Sequence, residues 1–379
     1  MANPQRLVDP ASVFDPVHLA NAAAAKLRAY DPGHDLPALR QRFGTAIAEL
    51  GANESPLGPS PRALTAMRNA LSGCCRYPDP RGGALKAALA ERLDIAVENL
   101  VLGNGSNELL VLLAQCFADA KHSVVFSQFA FAVYPIAAAA AGARPLRVPA
   151  LPRGHRSAPL GHDLAAMARA IRADTRLVYL ANPNNPTGTW FDDSALEEFL
   201  AKVPRNVLVV VDEAYHEYVS APGLTTALRL RGRHPNLVVT RTFSKAYGLA
   251  GLRVGYLVAH PEVVQILERL REPFNVNGLA LAGAEAAVRD KAWLGKVHAF
   301  NRAEREWLRG ELRERGYRCL PSQTNFLLCM LARDAASLAQ GLVEQGVIVL
   351  PVAGYGLPRA LRISVGSRAE NRRLLKALS

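Results

Sequence analysis

Two ionisable residues end apolar runs, where a solvated side chain is not expected. Asp212 ends "NVLVVVD" and Lys245 ends "NLVVTRTFSK". A carboxylate after a buried strand is costly unless a cation or a strong donor meets it, and a desolvated lysine can act as a nucleophile or a base. Considered singly, each residue has another interpretation: Asp212 could belong to a structural ion pair, and Lys245 could be a solvated loop residue. Together they suggest a site for covalent chemistry.

A glycine turn precedes them in the stretch "GNGSNELL". Gly105, Ser106 and Asn107 lead from a short strand into a helix, whose free N–H groups and dipole favour an anion. The third glycine of a dinucleotide fingerprint is missing, since Glu108 stands in its place. The alternative is an ordinary strand–helix turn capped by Ser106 or Asn107.

Other strand ends carry residues that could hold a planar ligand. Phe129, in "FSQFAF", could lie flat against a ring or pack in the core. Asn185 lies between Asn184 and Pro186 in a stiff loop that would point its amide in a fixed direction. The alternative is that the loop is only a turn made of turn-forming residues. Tyr215, three residues after Asp212, could face the same space.

One cofactor would use all these groups. Thr242, Ser244 and Arg253 supply anion-binding groups around Lys245. A lysine suits an aldehyde, to which it bonds as a Schiff base. Asp212 would keep a ring nitrogen protonated, and the glycine turn would share a phosphate with the hydroxyls and the arginine. The set predicts pyridoxal 5'-phosphate.

These residues need an open α/β sheet to bring them together. Short runs apolar on both faces, such as "SVVFSQF", "RLVYLA", "NVLVVV" and "NLVVT", predict buried, mostly parallel strands with helices between some of them. Ligands bind such sheets beyond the carboxyl ends of the strands. A helical stretch is expected from about Ala280 to Arg315, followed by a smaller α+β region.

The division of the chain follows from this pattern. We predict an N-terminal arm and part of a small domain over residues 1–55, a large cofactor-binding domain over 56–275, and a small C-terminal domain over 276–379. The chain has 379 residues, of which 50% are hydrophobic, which is enough for a large core.

Several function classes are disfavoured by composition. The formal net charge is +12, but the basic residues are scattered, and "RAEREWLRGELRERGYR" alternates arginine with glutamate as a solvated helix does. A nucleic-acid partner is therefore not expected. No apolar run reaches the roughly 20 residues of a membrane span, and the N-terminus lacks the pattern of a signal peptide.

The cysteines and histidines form no metal-binding pattern. The five cysteines include no C-x-x-C pair, and no two histidines stand at metal-ligand spacing. The odd number of cysteines makes a reducing cytoplasm the simplest setting. Cys74 and Cys75 are interpreted as ordinary loop residues.

The motifs in order resemble a family. "ANESPLGPSP", "RYPDP", "GNGSNELL", "FAVYPIA", "NPNNPTGTW", "DEAYHEY", "RTFSKAYGLAGLRVGY", "PFNVN" and "LRISVG" are similar to those of fold-type-I pyridoxal-phosphate aminotransferases, specifically the histidinol-phosphate aminotransferase group. The resemblance covers nearly the whole chain. It implies a fold-type-I architecture with a mostly parallel large-domain sheet and a smaller α+β domain.

The resemblance also implies roles for individual residues. Asn185 and Tyr215 would contact the ring hydroxyl of the cofactor, and Phe129 would stack on the ring. Tyr77 would reach the phosphate bound by a neighbouring subunit, so the active unit is expected to be a homodimer. The residues expected to contact substrate are Arg362, which would bind an acidic group, together with Tyr30 and Asn53 near the entrance.

The implied reaction is a two-step amino transfer. Lys245 would remove the proton from the amino-bearing carbon of the substrate and return it to the cofactor, with Asp212 stabilising the positive ring. A 2-oxo acid, expected to be 2-oxoglutarate, would then reverse the steps.

The substrate is where this chain departs from the family pattern. Relatives that use histidinol phosphate commonly carry an arginine where this chain has Leu350, in "GVIVLPVAGYGLP". A leucine cannot donate to a phosphate, although Arg359 could compensate. Histidinol phosphate remains the first prediction. An aromatic amino acid aminotransferase, with Arg362 left for a carboxylate, is the alternative, and a phosphothreonine decarboxylase is third. A cofactor-sensing DNA-binding regulator is disfavoured because only about 30 residues precede the fold.

Overall fold

The structure is a computed structural model that describes residues 16–20, 25, 35–44 and 47–378. Tyr30, predicted near the substrate entrance, lies outside the described residues. The strands are β1 (Ala48–Glu49), β2 (Leu100–Gly103), β3 (Ser123–Ser127), β4 (Arg144–Val148), β5 (Thr175–Ala181), β6 (Leu208–Asp212), β7 (Leu237–Thr242), β8 (Gly255–Val258), β9 (Arg318–Cys319), β10 (Phe326–Met330), β11 (Val347–Ile348), β12 (Leu350–Pro351) and β13 (Ala360–Ser364).

Helices alternate with these strands through most of the chain. They are α1 (Pro16–Leu19), α2 (Leu36–Phe43), α3 (Pro61–Ala70), α4 (Gly83–Leu93), α5 (Ser106–Phe117), α6 (Val133–Ala140), α7 (Leu164–Arg169), α8 (Asp193–Lys202), α9 (Pro261–Leu270), α10 (Gly278–Arg289), α11 (Lys291–Glu314), α12 (Ala335–Glu344) and α13 (Arg368–Ala377). Asp290 breaks the predicted helical stretch into α10 and α11, because its side chain accepts from the backbone N–H of Trp293 and so starts a new helix.

The large sheet has seven strands in the order β2-β8-β7-β6-β5-β3-β4. Strands β3 to β7 pair in parallel, and β8 is antiparallel to both of its neighbours, β2 and β7. All strands except β8 therefore end at the same edge, and β8 begins there. This confirms the predicted α/β fold with a mostly parallel sheet.

Two apolar cores cover the two faces of this sheet. Val209 and Val211 of β6 contribute to one core together with α3, α4, α8 and α10. Val210, between them, contributes to the other core with α5, α6 and α9. Successive side chains of a strand point to opposite faces, so a strand buried on both sides needs the unbroken valine run seen in the sequence.

A segment from the N-terminal part of the chain joins the C-terminal region in a smaller layer. Strand β1 pairs in parallel with β11, with Ala48 opposite Val347. Strands β12, β13, β10 and β9 form an antiparallel sheet with its own core. The domain boundaries stay a prediction, and α10, which lies beyond the proposed boundary at 275, packs through Ala280 and Ala284 in a core of the large sheet.

A disulfide joins Cys319 and Cys329 in the smaller layer. The spacing of the cysteines did not predict it. The two residues are direct partners across β9 and β10, and the pairing of two strands cannot be read from cysteine spacing. Cys74, Cys75 and Cys116 are free. Within the part of the chain that the structure describes, no helix has the length and apolarity to span a membrane.

Candidate active site

The predicted site residues follow the aligned ends of the large sheet. Across β5, β6 and β7, Ala181 is opposite Asp212, and Asp212 is opposite Thr240. Across β7, β8 and β2, Gly255 is opposite both Thr242 and Gly103. These registers bring the loops after β2, β5, β6 and β7 to one edge of the sheet.

Asp212 is a buried carboxylate held by neutral donors. Its Oδ2 accepts from the Tyr134 hydroxyl at 2.9 Å, and its Oδ1 accepts from the Thr240 hydroxyl and the Ala214 backbone N–H, each at 3.2 Å. Burial raises the pKa of Asp212 to about 6, and the three donors oppose that rise. A cation placed against this carboxylate would stabilise its charged form.

The pKa of Lys245 is shifted in the opposite direction, although burial is again the main cause. Its Nζ donates to the carbonyl oxygen of Ala52 at 3.1 Å. Burial lowers the pKa of Lys245 to about 7, and the positive charges of Arg362 and Arg253 contribute, while Glu54 opposes them. A lysine in this state has a substantial neutral fraction near pH 7, as a nucleophile or base requires.

A cluster of anion-binding groups lies where β7 and β2 end. The Ser244 hydroxyl accepts from the Thr242 hydroxyl at 3.0 Å and from Arg253 Nη1 at 3.1 Å. A Cβ on Gly105 would come within 2.4 Å of Arg253 Nη2, so the guanidinium lies directly against this glycine turn. Gly105 has φ of 84°, a conformation that glycine adopts without strain.

The helix start at this corner has no side-chain cap. Gly105 is the N-cap of α5 and makes no side-chain cap hydrogen bond, so the alternative in which Ser106 or Asn107 caps the helix is wrong. Ser106 is buried at the first helical position, and Asn107 is exposed beside it. The uncapped N–H groups at the start of α5 remain suited to an anion.

Tyr215 joins a second cluster, built from both ends of the chain. Its hydroxyl accepts from Asn53 Nδ2 at 3.0 Å. Arg362 donates to Asn185 Oδ1 at 2.8 Å and to the carbonyl oxygen of Gly51 at 2.6 Å. The Nε of Arg362 is buried without a hydrogen-bond partner, and an unpaired buried donor of this kind calls for a partner such as an acidic group of a ligand. Burial raises the pKa of Tyr215 to about 12, and the charge of Arg362 opposes that rise.

Phe129 and Leu350 form part of an apolar wall. Phe129 packs in a cluster that includes Met330 and Leu357, with Leu350 packed against it. The Phe129 carbonyl accepts from Asn184 Nδ2 at 2.7 Å, which joins its loop to the asparagine–proline loop. Leu350 is directly opposite Arg362 across β12 and β13. Arg359 is exposed.

Tyr77 is not part of these clusters in the single chain. Its side chain is 83% exposed, and its ring stacks on that of Phe274 at 4.6 Å between centroids. Two large exposed aromatic rings in contact are unusual on a surface that faces only water.

Sequence reasoning missed three groups of the site. Tyr134 and Thr240 donate to Asp212, and the Ala52 carbonyl accepts from Lys245. Thr240 stands two residues before Thr242 in β7, so strand alternation places both on one face and could have suggested it. The other two depend on tertiary packing and leave no local signal.

The residues present fit pyridoxal phosphate in three respects. The buried Asp212 carboxylate has no cation in contact with it among the described residues, which suits a protonated ring nitrogen. The uncapped helix start, Ser244 and Arg253 suit a phosphate. Lys245 suits an aldehyde because its pKa is low.

Comparison with known proteins agrees with this chemistry. The chain matches the family described as aminotransferase class I and II over residues 45–378. It is 48% identical over 363 residues to histidinol-phosphate aminotransferase 2 of Pseudomonas fluorescens, covering 95% of this chain and 96% of that protein. The protein of the same name from Pseudomonas aeruginosa is also 48% identical, with the same shares covered.

A solved structure extends the comparison to the fold. The crystal structure of histidinol-phosphate aminotransferase from Sinorhizobium meliloti in complex with pyridoxal-5'-phosphate superposes with a TM-score of 0.83, at 31% identity, and covers 97% of each chain. From the strand-end site, the family match over most of the chain and these relatives, we conclude that the chain belongs to the aminotransferase class I and II family.

Proposed function

We propose that this protein is a pyridoxal-phosphate-dependent aminotransferase that moves the amino group of histidinol phosphate to 2-oxoglutarate. The observation that carries the proposal is the pairing of Lys245 and Asp212 at neighbouring strand ends, with their pKa values moved in opposite directions. The names of the relatives at 48% identity support the substrate.

The cofactor supplies an aldehyde that bonds to amines and an electron-poor ring that accepts electrons released at the carbon bearing the amine. Asp212 would accept a hydrogen bond from the protonated ring nitrogen and balance its charge. The residues that would hold the phosphate are the Gly105–Asn107 turn, Thr242, Ser244 and Arg253. Asn185 and Tyr215 would orient the ring hydroxyl, and Phe129 would cover the ring.

Lys245 moves the proton in this scheme. Its Nζ, with a pKa of about 7 because of burial and the charges of Arg362 and Arg253, would serve as the base that takes and holds the proton from the amino-bearing carbon of the substrate. Arg362 binds the acidic group of the substrate through donors that include the unpaired Nε. Asn53, hydrogen bonded to Tyr215, keeps that phenol in place.

The active unit is proposed to be a homodimer, with Tyr77 reaching the cofactor phosphate bound by the second subunit. The support is the exposed stack of Tyr77 on Phe274, which would be covered by a second copy of the chain. We also propose that the enzyme acts in the cytoplasm.

A second candidate is transfer from an aromatic amino acid, and Leu350 favours it. Opposite Arg362, this leucine extends the apolar wall that includes Phe129, where an aromatic side chain would pack. The phosphothreonine decarboxylase alternative has less support. A threonine-O-3-phosphate decarboxylase of Porphyromonas gingivalis is similar at only 23% identity with a TM-score of 0.75, which shows the fold alone.

A single-turnover half-reaction distinguishes the two candidates. The protein loaded with pyridoxal phosphate is mixed with histidinol phosphate or with phenylalanine, and loss of the visible absorbance of the cofactor is followed. A far faster reaction with histidinol phosphate supports the first candidate. A faster reaction with phenylalanine supports the second.

Leu350→Arg tests what position 350 contributes. The new guanidinium would lie next to Arg362 and add a charge-assisted contact to a phosphate, worth roughly 1.5–3 kcal/mol. We expect the preference for histidinol phosphate over phenylalanine in kcat/KM to rise by about ten- to a hundredfold. Leu350→Met, which nearly conserves volume, should leave the preference unchanged. An equal effect of both variants would exclude a charge effect.

A further inference from the structure

The hydroxyl of Tyr134 makes the shortest hydrogen bond to Asp212. It donates to Oδ2 at 2.9 Å, compared with 3.2 Å for each of the two donors to Oδ1. Tyr134 lies in α6, on one face of the large sheet, and its side chain is fully buried. The phenol therefore reaches the carboxylate from the helix layer that covers the sheet.

The ring of Tyr134 is fixed on two sides. It stacks on Tyr179 of β5, with 4.8 Å between centroids and 6° between planes, and it meets Phe131 edge-to-face at 5.9 Å. The hydroxyl therefore cannot turn away from Asp212 without breaking this packing. Burial holds the pKa of Tyr134 well above its ordinary value, so the phenol remains a proton donor at working pH.

Asp212 depends on such neutral donors. The titratable groups around it are Tyr134 from α6, Tyr179 behind that ring, and Glu213 and Tyr215 from its own segment, and none of them is a cation. Thr240, from β7, is neutral. Before the cofactor binds, hydrogen bonds alone stabilise the carboxylate against burial, and each bond to a charged group is among the stronger kinds.

We propose that Tyr134 is a positioning residue that orients Asp212 and keeps it ionised, so that the carboxylate meets the ring nitrogen of pyridoxal phosphate as an anion. This inference rests on the proposed function. Tyr134 would act through Asp212, to which its hydroxyl donates. By keeping Asp212 charged, it would favour the protonated ring nitrogen on which the electron-accepting chemistry of the cofactor depends.

The test compares Tyr134→Phe with Tyr179→Phe. The two tyrosines belong to one stacked pair, both are fully buried, and each phenol makes one hydrogen bond, that of Tyr179 to the carbonyl of Leu110 at 2.7 Å. Both variants therefore lose one buried hydrogen bond, but only the first loses a bond to the carboxylate of Asp212. Binding of pyridoxal phosphate to the apoprotein and the pH titration of the visible spectrum of the holoenzyme are measured.

We expect Tyr134→Phe to weaken cofactor binding by about ten- to a hundredfold and to raise the apparent pKa of the acidic spectral transition by about one unit. Tyr179→Phe should leave the cofactor affinity within about twofold of the wild type and the spectral pKa unchanged, while the thermal midpoints of both apoproteins fall. In an Asp212→Asn background, Tyr134→Phe should have no further effect on binding. Equal cofactor affinities and spectral pKa values for the two phenylalanine variants would overturn the proposal.

A second probe covers the case in which Tyr134→Phe does not fold. Incorporation of 3-fluorotyrosine at position 134 keeps the shape of the side chain and makes the phenol a stronger donor. The spectral pKa should then fall below that of the wild type, and an unchanged pKa would contradict the proposal. If the wild-type protein itself does not bind pyridoxal phosphate, the proposed function fails instead, so the two failures are distinguishable.

Discussion

At the scale of single residues, the site keeps two ionisable groups away from their ordinary protonation behaviour. Burial lowers the pKa of Lys245 to about 7 and raises that of Asp212 to about 6. Neither pKa shift stabilises the folded apoprotein near pH 7. Both shifts suit a ligand that carries an aldehyde and a basic ring nitrogen. Ionisable residues with pKa values shifted in this way are typical of functional sites.

Lys245→Ala should remove both the covalent attachment point and the base. We expect steady-state turnover to fall by at least about a thousandfold, measured as glutamate formed from 2-oxoglutarate. Lys291→Ala is the matched control, because Lys291 is exposed at the start of α11, and it should keep wild-type activity. Turnover of Lys245→Ala near the wild-type rate would contradict the assignment of the lysine.

The pKa of Asp212 makes a prediction about the stability of the apoprotein. A folded-state pKa of about 6, compared with about 3.9 in the unfolded chain, means that the folded state binds more protons between these values. Stability therefore falls as pH rises through this window, by on the order of 3 kcal/mol for this group. The Asp212→Asn variant lacks this contribution.

Urea unfolding at several pH values tests this expectation. The stability of the apo wild type minus that of Asp212→Asn should decrease from pH 4 to pH 7. In the holoenzyme the decrease should be absent, because a protonated ring nitrogen would stabilise the carboxylate. A difference between the two apoproteins that does not vary with pH would show that Asp212 is not desolvated as described.

At the scale of elements, the anion corner depends on how closely β8 approaches the start of α5. A Cβ on Gly255 would lie 2.6 Å from the backbone nitrogen of Ser106 and 2.9 Å from the carbonyl oxygen of Arg241. Both neighbours are backbone atoms and have no rotamer to adjust. The glycine at the first position of β8 thus allows the strand and the helix start to form one anion-binding corner.

Gly255→Ala should therefore destabilise the protein by about 3 kcal/mol or more and weaken cofactor binding. Gly251→Ala, a few residues earlier, has no atom within 4 Å of the added Cβ and should change stability by less than about 0.5 kcal/mol. The urea midpoints of both variants measure the difference. Similar midpoints would mean that β8 and α5 separate at little cost.

The elements also show what can be predicted from sequence. Runs of valine followed by a polar residue predicted the strands and the edge at which Asp212, Asn185 and Lys245 lie, because a strand buried on both faces requires such a run and ends where ligands bind. The partners of these residues could not be predicted. Tyr134 approaches Asp212 from a helix, and Cys319 pairs with Cys329 through strand register. Both contacts depend on tertiary packing, which no local pattern encodes.

At the scale of the whole molecule, residues far apart in the chain complete the site. Asn53 and Arg362 form hydrogen bonds with Tyr215 and Asn185, which lie in loops of the large sheet. The smaller layer therefore contacts the large sheet at the edge where the candidate site lies. In the proposed homodimer, Tyr77 of each chain would likewise complete the site of the other chain. If each chain supplies Tyr77 to the site of the other chain, the two chains are expected to be related by a closed two-fold symmetry.

Mixing two variants, each expected to be impaired, tests this exchange. In a Tyr77→Ala homodimer both sites lack the tyrosine, and in a Lys245→Ala homodimer both sites lack the lysine. A mixed dimer has one site with both residues intact, so refolding an equal mixture should restore about a quarter of the wild-type activity by statistical pairing. Activity that stays at the level of the separate variants would mean that Tyr77 serves its own chain or no site. Refolded wild type is the control for recovery.

The most direct test of the proposed site is to locate the lysine that carries the cofactor. The holoenzyme is reduced with borohydride, which makes the link between lysine and cofactor permanent, and then digested and analysed by mass spectrometry. We predict that the added mass of reduced pyridoxal phosphate appears on the peptide that contains Lys245. The same mass on another lysine, or on none, would contradict the central claim that Lys245 and Asp212 form a pyridoxal-phosphate site.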